Sequence, residues 1–99
     1  MFARLARYEI DTDRSDEAVE SFKQASQGLT ELHGFRGGYV LLDNEGSIAT
    51  LTVWESRAAL LDSQSRAGRL RQDAVQAVGG SVLSVNEYEI AHEMGASLV

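Results

Sequence analysis

The order in which hydrophobic periodicity changes along this chain restricts its fold more than any other feature. Residues 2–10, FARLARYEI, alternate and carry aromatic and β-branched members, the pattern of a strand. From about 14 to 32 the period lengthens. Ala18, Phe22, Ala25, Leu29 and Leu32 recur every three or four positions, which is one buried stripe on an amphipathic helix. Residues 35–43, FRGGYVLLD, and 47–55, SIATLTVWE, return to strand character, with Asn44, Glu45 and Gly46 as a turn between them. So short a turn implies an antiparallel hairpin. Helical spacing resumes after Ser56 and runs through Ala67, Leu70, Ala74, Ala77 and Val78, with a possible break near 62–65. Residues 81–91, SVLSVNEYEIA, form a fourth strand, and the segment from His92 is irregular or lies against a neighbour.

Local chemistry marks the boundaries. Asp11, Thr12 and Asp13 offer oxygens suited to a helix N-cap, and Asp13, Asp16 and Glu17 place negative charge where the helix macrodipole favours it. Gly34 is free to take the left-handed conformation that ends the first helix, and Gly79-Gly80 stop the second. Ser56 is placed to cap that second helix. Gly37-Gly38 inside a strand point to a bulge or a close backbone approach.

The resulting order, β-α-β-β-α-β, is the ferredoxin-like α+β arrangement, with a four-stranded antiparallel sheet carrying both helices on one face. The other face is then bare. On the third strand Ala49, Leu51 and Val53 point one way and Ile48, Thr50, Thr52 and Trp54 the other, while Phe2, Arg4, Ala6, Tyr8 and Ile10 share a side of the first strand. Neither set is polar enough to stay in water, so both faces need cover. A second copy of the chain is the simplest cover, giving an isologous homodimer. A partner would also help a chain of 99 residues without cysteine, which buries a modest share of its surface and has no disulfide to staple it.

Composition removes several functions. The net charge is −6 and the nine basic residues are scattered, whereas nucleic-acid binders concentrate cations on one stripe. Arg66, Arg69 and Arg71 lie close together but are flanked by Asp62 and Asp73, as on a solvated helix face. No stretch approaches the roughly 18–20 apolar residues of a membrane span, and Met1 to Arg7 lack a signal-peptide core, so a cytoplasmic location is expected. No nucleophile elbow, phosphate loop or dinucleotide fingerprint is present. His33, at a helix end, and His92, beside Glu93, have no helical metal-ligand spacing, so no metal is expected.

Several segments resemble the antibiotic biosynthesis monooxygenase-like, or dimeric α/β barrel, domains. The most specific is Thr52-Val53-Trp54-Glu55-Ser56, similar to that family's Trp-x-Ser step from third strand to second helix. Gly34-Phe35-Arg36-Gly37 resembles its entry into the second strand. The likeness extends over residues 1–93 as one domain, leaving 94–99 as a C-terminal tail. It implies a cofactor-independent monooxygenase acting on polycyclic phenols and quinols, a haem degrader, or one of the many members with no assigned role. The haem-degrading branch uses a first-strand asparagine and a histidine after the tryptophan. Here Ala6 is the nearest first-strand position and no histidine lies between Trp54 and the fourth strand, which argues against haem degradation.

An oxidase of this kind needs a dry apolar pocket and a few placed polar groups, because an electron-rich phenolate can itself reduce dioxygen. Trp54, Tyr8, Tyr39 and Arg4 are the candidate substrate-binding residues. The rings would stack on a flat substrate, Arg4 would stabilise an oxyanion, and a tyrosine hydroxyl would hold a substrate oxygen. Each also has a purely structural reading: Trp54 as a plug, the tyrosines as core or interface, Arg4 as half of an ion pair or as an exposed strand end. Three functions remain open: a small enzyme without metal or flavin taking a flat hydrophobic aromatic compound, a non-enzymatic or stress-associated ligand-binding dimer, and a dimerisation module with a filled barrel. A pocket of several hundred Å3 separates the first two from the third.

Overall fold

The computed structural model describes residues 1–43, 45 and 47–95. The expected turn residues Asn44 and Gly46, and the tail beyond Gly95, lie outside the described residues. The elements follow the expected order: β1 (Phe2–Glu9), α1 (Ser15–Leu29), β2 (Phe35–Leu42), β3 (Ile48–Trp54), α2 (Arg57–Gln76) and β4 (Ser81–Glu89). The four strands form one antiparallel sheet in the order β2-β3-β1-β4. This is the ferredoxin-like fold.

Helix starts and stops differ in part from expectation. Ser56 caps α2 by accepting the Ala59 N–H at 3.0 Å. No side chain caps α1; a 3-10 turn over Thr12–Arg14 precedes it and uses its own backbone, Arg14 N–H donating to Asp11 C=O at 2.9 Å. The α2 helix is unbroken across 62–65. Ser63, within that stretch, faces the core and donates its hydroxyl to Leu60 C=O at 2.7 Å. Both readings of the second-strand glycines are realised. The β2–β3 register shifts between Phe35 and Gly37, and a Cβ at Gly38 would collide with Leu51 C=O.

Register divides the sheet into two faces. Phe2, Arg4, Ala6 and Tyr8 pair with Trp54, Thr52, Thr50 and Ile48, and this set lies under the helices. The opposite face carries Ala3, Leu5, Ala49, Leu51 and Val53, with Tyr39, Leu41 and Tyr88 beside them on the flanking strands. Those last three are large and exposed, at 40%, 45% and 52%.

Under the helices, two clusters of buried residues form among the described residues. One joins Ala6, Tyr8, Ile48 and the helix residues Ala18, Phe22, Ala74, Val75 and Val78. The other joins Trp54, Ala59 and Leu60, with Phe2, Leu29, Leu32 and Phe35 packed on it. Large side chains thus hold the two ends of the helix–sheet layer. Between them the rows narrow to Thr50 and Thr52 on β3, Gly38 on β2, Ala25 and Ser26 on α1, and Ala67 on α2. Small residues facing one another cannot fill the layer, and a gap results.

Candidate functional site

That gap is a cavity of about 330 Å3, within the range of small-molecule sites. Apolar walls come from Val19, Phe22, Leu29, Phe35, Val40 and Leu70. Buried Tyr8, Arg4 and Ala67 form its inner part, while exposed Lys23, Tyr39 and Val40 form its rim. Its polar lining includes a part-buried hydroxyl pair: Tyr8 Oη and Thr50 Oγ1 lie 2.8 Å apart, and either can donate. Phe22 packs on the Tyr8 ring at 4.6 Å between centroids, fixing its tilt. Burial pushes the Tyr8 pKa up, against the opposing influence of the Thr50 bond and of the Arg71 and Arg4 charges. Tyr8 is therefore a neutral phenol at physiological pH, a donor and not a base.

Arg4 is 4% exposed. Its Nε and Nη2 donate to Glu87 Oε2 at 3.1 and 2.9 Å, Nη1 donates to Ser63 Oγ at 3.2 Å, and Nη2 also donates to Leu60 C=O at 2.9 Å. Its guanidinium lies 5.7 Å from the Trp54 ring centroid. The buried arginine has found its acid, so its charge is neutralised at the wall.

Trp54 is fully buried and does not line the cavity. Its Nε1–H donates to Thr52 Oγ1 at 3.0 Å, and Phe35 meets its ring edge-on at 5.2 Å. It stands behind Thr52 and Arg4, which do line the cavity. Tyr39 contributes to the rim, although its register partner Leu51 places its side chain on the bare face. The fold thus brings Arg4, Tyr8 and Tyr39 to one cavity, with Trp54 supporting its wall. The histidines lie elsewhere: His33 is exposed, 3.7 Å from Glu55, and His92 follows β4.

Arg71 is the lining residue that sequence reasoning overlooked. It sits on α2 one turn after Ala67 and just before Ala74, within the stripe that faces the sheet. Grouping it with Arg66 and Arg69 hid that placement; counting four on from Ala67 reveals it. Among the described residues nothing hydrogen-bonds or ion-pairs with its guanidinium. Burial lowers its pKa from the ordinary arginine value, with Tyr8 the leading opposing influence, and it remains cationic.

A family profile described as Antibiotic biosynthesis monooxygenase matches residues 1–80, most of the chain. The chain belongs to the antibiotic biosynthesis monooxygenase family. Its fourth strand, beyond the matched residues, completes the sheet beside β1. Solved structures sharing the family's fold include SnoaB, a cofactor-independent oxygenase from Streptomyces nogalater, at 14% identity and TM-score 0.77, covering 96% of this chain and 97% of that one. A variant of MhuD bound to two manganese protoporphyrin IX molecules per active site aligns at 19% identity and TM-score 0.76, covering 97% and 100%. Rv0793 from Mycobacterium tuberculosis aligns at 15% identity and TM-score 0.71, covering 95% and 98%. At these identities the likeness establishes the fold. Among curated proteins, none matches the chain in sequence.

Proposed function

We propose that this protein is a cofactor-independent monooxygenase that oxidises a flat aromatic, quinol-type molecule with dioxygen. The observation that carries the proposal is an apolar cavity with a part-buried hydroxyl pair in its lining. Leu29, Phe35 and Leu70 supply walls for a planar ring system, and Tyr8 donates to its phenolic oxygen while Thr50 donates to Tyr8. Lys23 and Arg71 add positive potential, since Glu87 neutralises Arg4; Trp54 stands behind Arg4 and Thr52, and Tyr39 lies at the rim.

Among the described residues no carboxylate or imidazole lines the slot, so the wall offers no strong base. Positive potential instead favours the phenolate over the phenol, and the proton leaves to water at the rim. The electron-rich phenolate reduces dioxygen, and the radical pair combines into a carbon–oxygen bond. Protonation and loss of water from the peroxide then leave a carbonyl. The substrate loses its phenolic hydrogen and the hydrogen of the oxygenated ring carbon and gains one oxygen atom, and the second oxygen departs as water, so the substrate supplies all the electrons.

The working form in this proposal is a homodimer, supported by Tyr39, Leu41 and Tyr88 exposed on the face that no helix covers. Oxygen uptake with anthrone and related hydroquinones under 18O2 tests the reaction. Uptake giving one labelled atom in the product and one in water supports it. Quenching of Trp54 fluorescence by the same compounds, with no oxygen consumed, would move the protein to the ligand-binding alternative.

A further inference from the structure

We infer that the cavity selects aromatic ligands bearing a permanent anionic substituent, such as a carboxylate, and that Arg71 with Lys23 is the group that selects them. The inference rests on the cavity being the ligand site, as proposed above, and names the chemistry of what enters it.

Charge is the first observation. The chain carries 15 acidic and nine basic residues, yet among the described residues the charged side chains lining the cavity are Arg4, which Glu87 neutralises, and the cations Lys23 and Arg71, with no acid in the lining. In a chain with net charge −6, such a lining concentrates positive potential where a ligand would sit.

The second observation separates the two arginines. Arg4 is occupied by Glu87, Ser63 and Leu60 C=O, so it has little capacity left for a ligand oxygen. Arg71 has none of these partners. Its guanidinium is partly desolvated beside an apolar wall, and among the described residues no carboxylate lies within ion-pair distance of it or of Lys23. Glu87 acts on Arg71 only from beyond ion-pair distance, so the partly desolvated cation has no bonded counterion, and a bound anion would offset that cost. The planar donor fork suits a carboxylate, which it can hold through two parallel hydrogen bonds.

Arrangement is the third. The Tyr8–Thr50 pair belongs to β1 and β3, whereas Arg71 belongs to α2 and Lys23 to α1. Polar groups on both layers, with apolar walls between them, match a ring system that carries a phenolic oxygen on one side and an acid on another.

The experiment compares 6-hydroxy-2-naphthoate with 2-naphthol by calorimetric titration near neutral pH, where the first is an anion and the second neutral. The wild-type chain is expected to prefer the carboxylate by about tenfold or more. Arg71→Gln is expected to erase that preference while leaving naphthol affinity within about twofold, and Arg71→Lys to retain part of it. Equal wild-type affinities, or an Arg71→Gln variant that weakens both compounds alike, would overturn the inference while leaving the cavity as the ligand site. Binding of neither compound would remove both.

Discussion

Arg4 and Arg71 face the same space from opposite layers, and their partners set different consequences for losing them. Replacing Arg4 with Met leaves Glu87, Ser63 and Leu60 C=O with lost bonds around a half-buried carboxylate. Urea unfolding is expected to show a loss of about 2–4 kcal/mol, toward the lower end because Glu87 reaches solvent. Arg71→Gln breaks no hydrogen bond or ion pair among the described residues, and the same measurement is expected to change by less than about 0.5 kcal/mol. Tyr8 adds a pH signature. Its folded pKa is raised above the unfolded value, so the folded state keeps its proton where the unfolded state releases it. The stabilising contribution is whole below the ordinary tyrosine pKa of about 10 and falls as pH rises through the folded value. A Tyr8→Phe variant should therefore lose less stability than wild type on alkaline titration. At this scale the sequence was legible in type more than in role. Alternation put Arg4 and Tyr8 on one side of β1, but nothing in single residues said that Glu87, far along the chain, would neutralise Arg4.

Elements were the most legible level, because each rests on a repeat of several residues. Alternation defined β1 and β3, and the Ala18–Phe22–Ala25–Leu29 spacing defined α1. The discrepancies have local causes. Leu32 carries the apolar pattern past the end of α1 because it packs on the Trp54 cluster from the loop, not from the helix. Ser63 looks like a helix breaker in a window of polar residues, yet its hydroxyl satisfies a carbonyl of its own helix and accepts from Arg4. The Ser56 cap fixes where α2 begins, directly after Trp54. Ser56→Ala is expected to cost about 1 kcal/mol in thermal or chemical denaturation. Gly34 guards the same junction: its φ is +79°, and a Cβ there would collide with the Cβ of Ala59. Gly34→Ala should cost more than about 1 kcal/mol by the same assay, because strain and collision add.

At the scale of the whole molecule, the proposed dimer is a matter of one uncovered sheet face. Leu41 is 45% exposed and belongs by register to that face. Sedimentation at micromolar concentration is expected to show a dimer, and Leu41→Glu to shift it toward monomer with the secondary structure retained. The order of elements along the chain, and with it the ferredoxin-like fold, could be reasoned from pattern alone. The cavity could not, because it depends on small residues from four elements meeting across the layer, and no single stretch of sequence shows that meeting. The separation of the two buried clusters has a consequence for the protein's lifetime. An occupant of the space between them would act as the missing middle of the core, tying both ends of the molecule together and raising the cost of opening. The empty chain would then be the form most readily cut by a protease. Its persistence would follow the supply of its ligand, so that how long the protein lasts becomes a gauge of whether it has anything to act on.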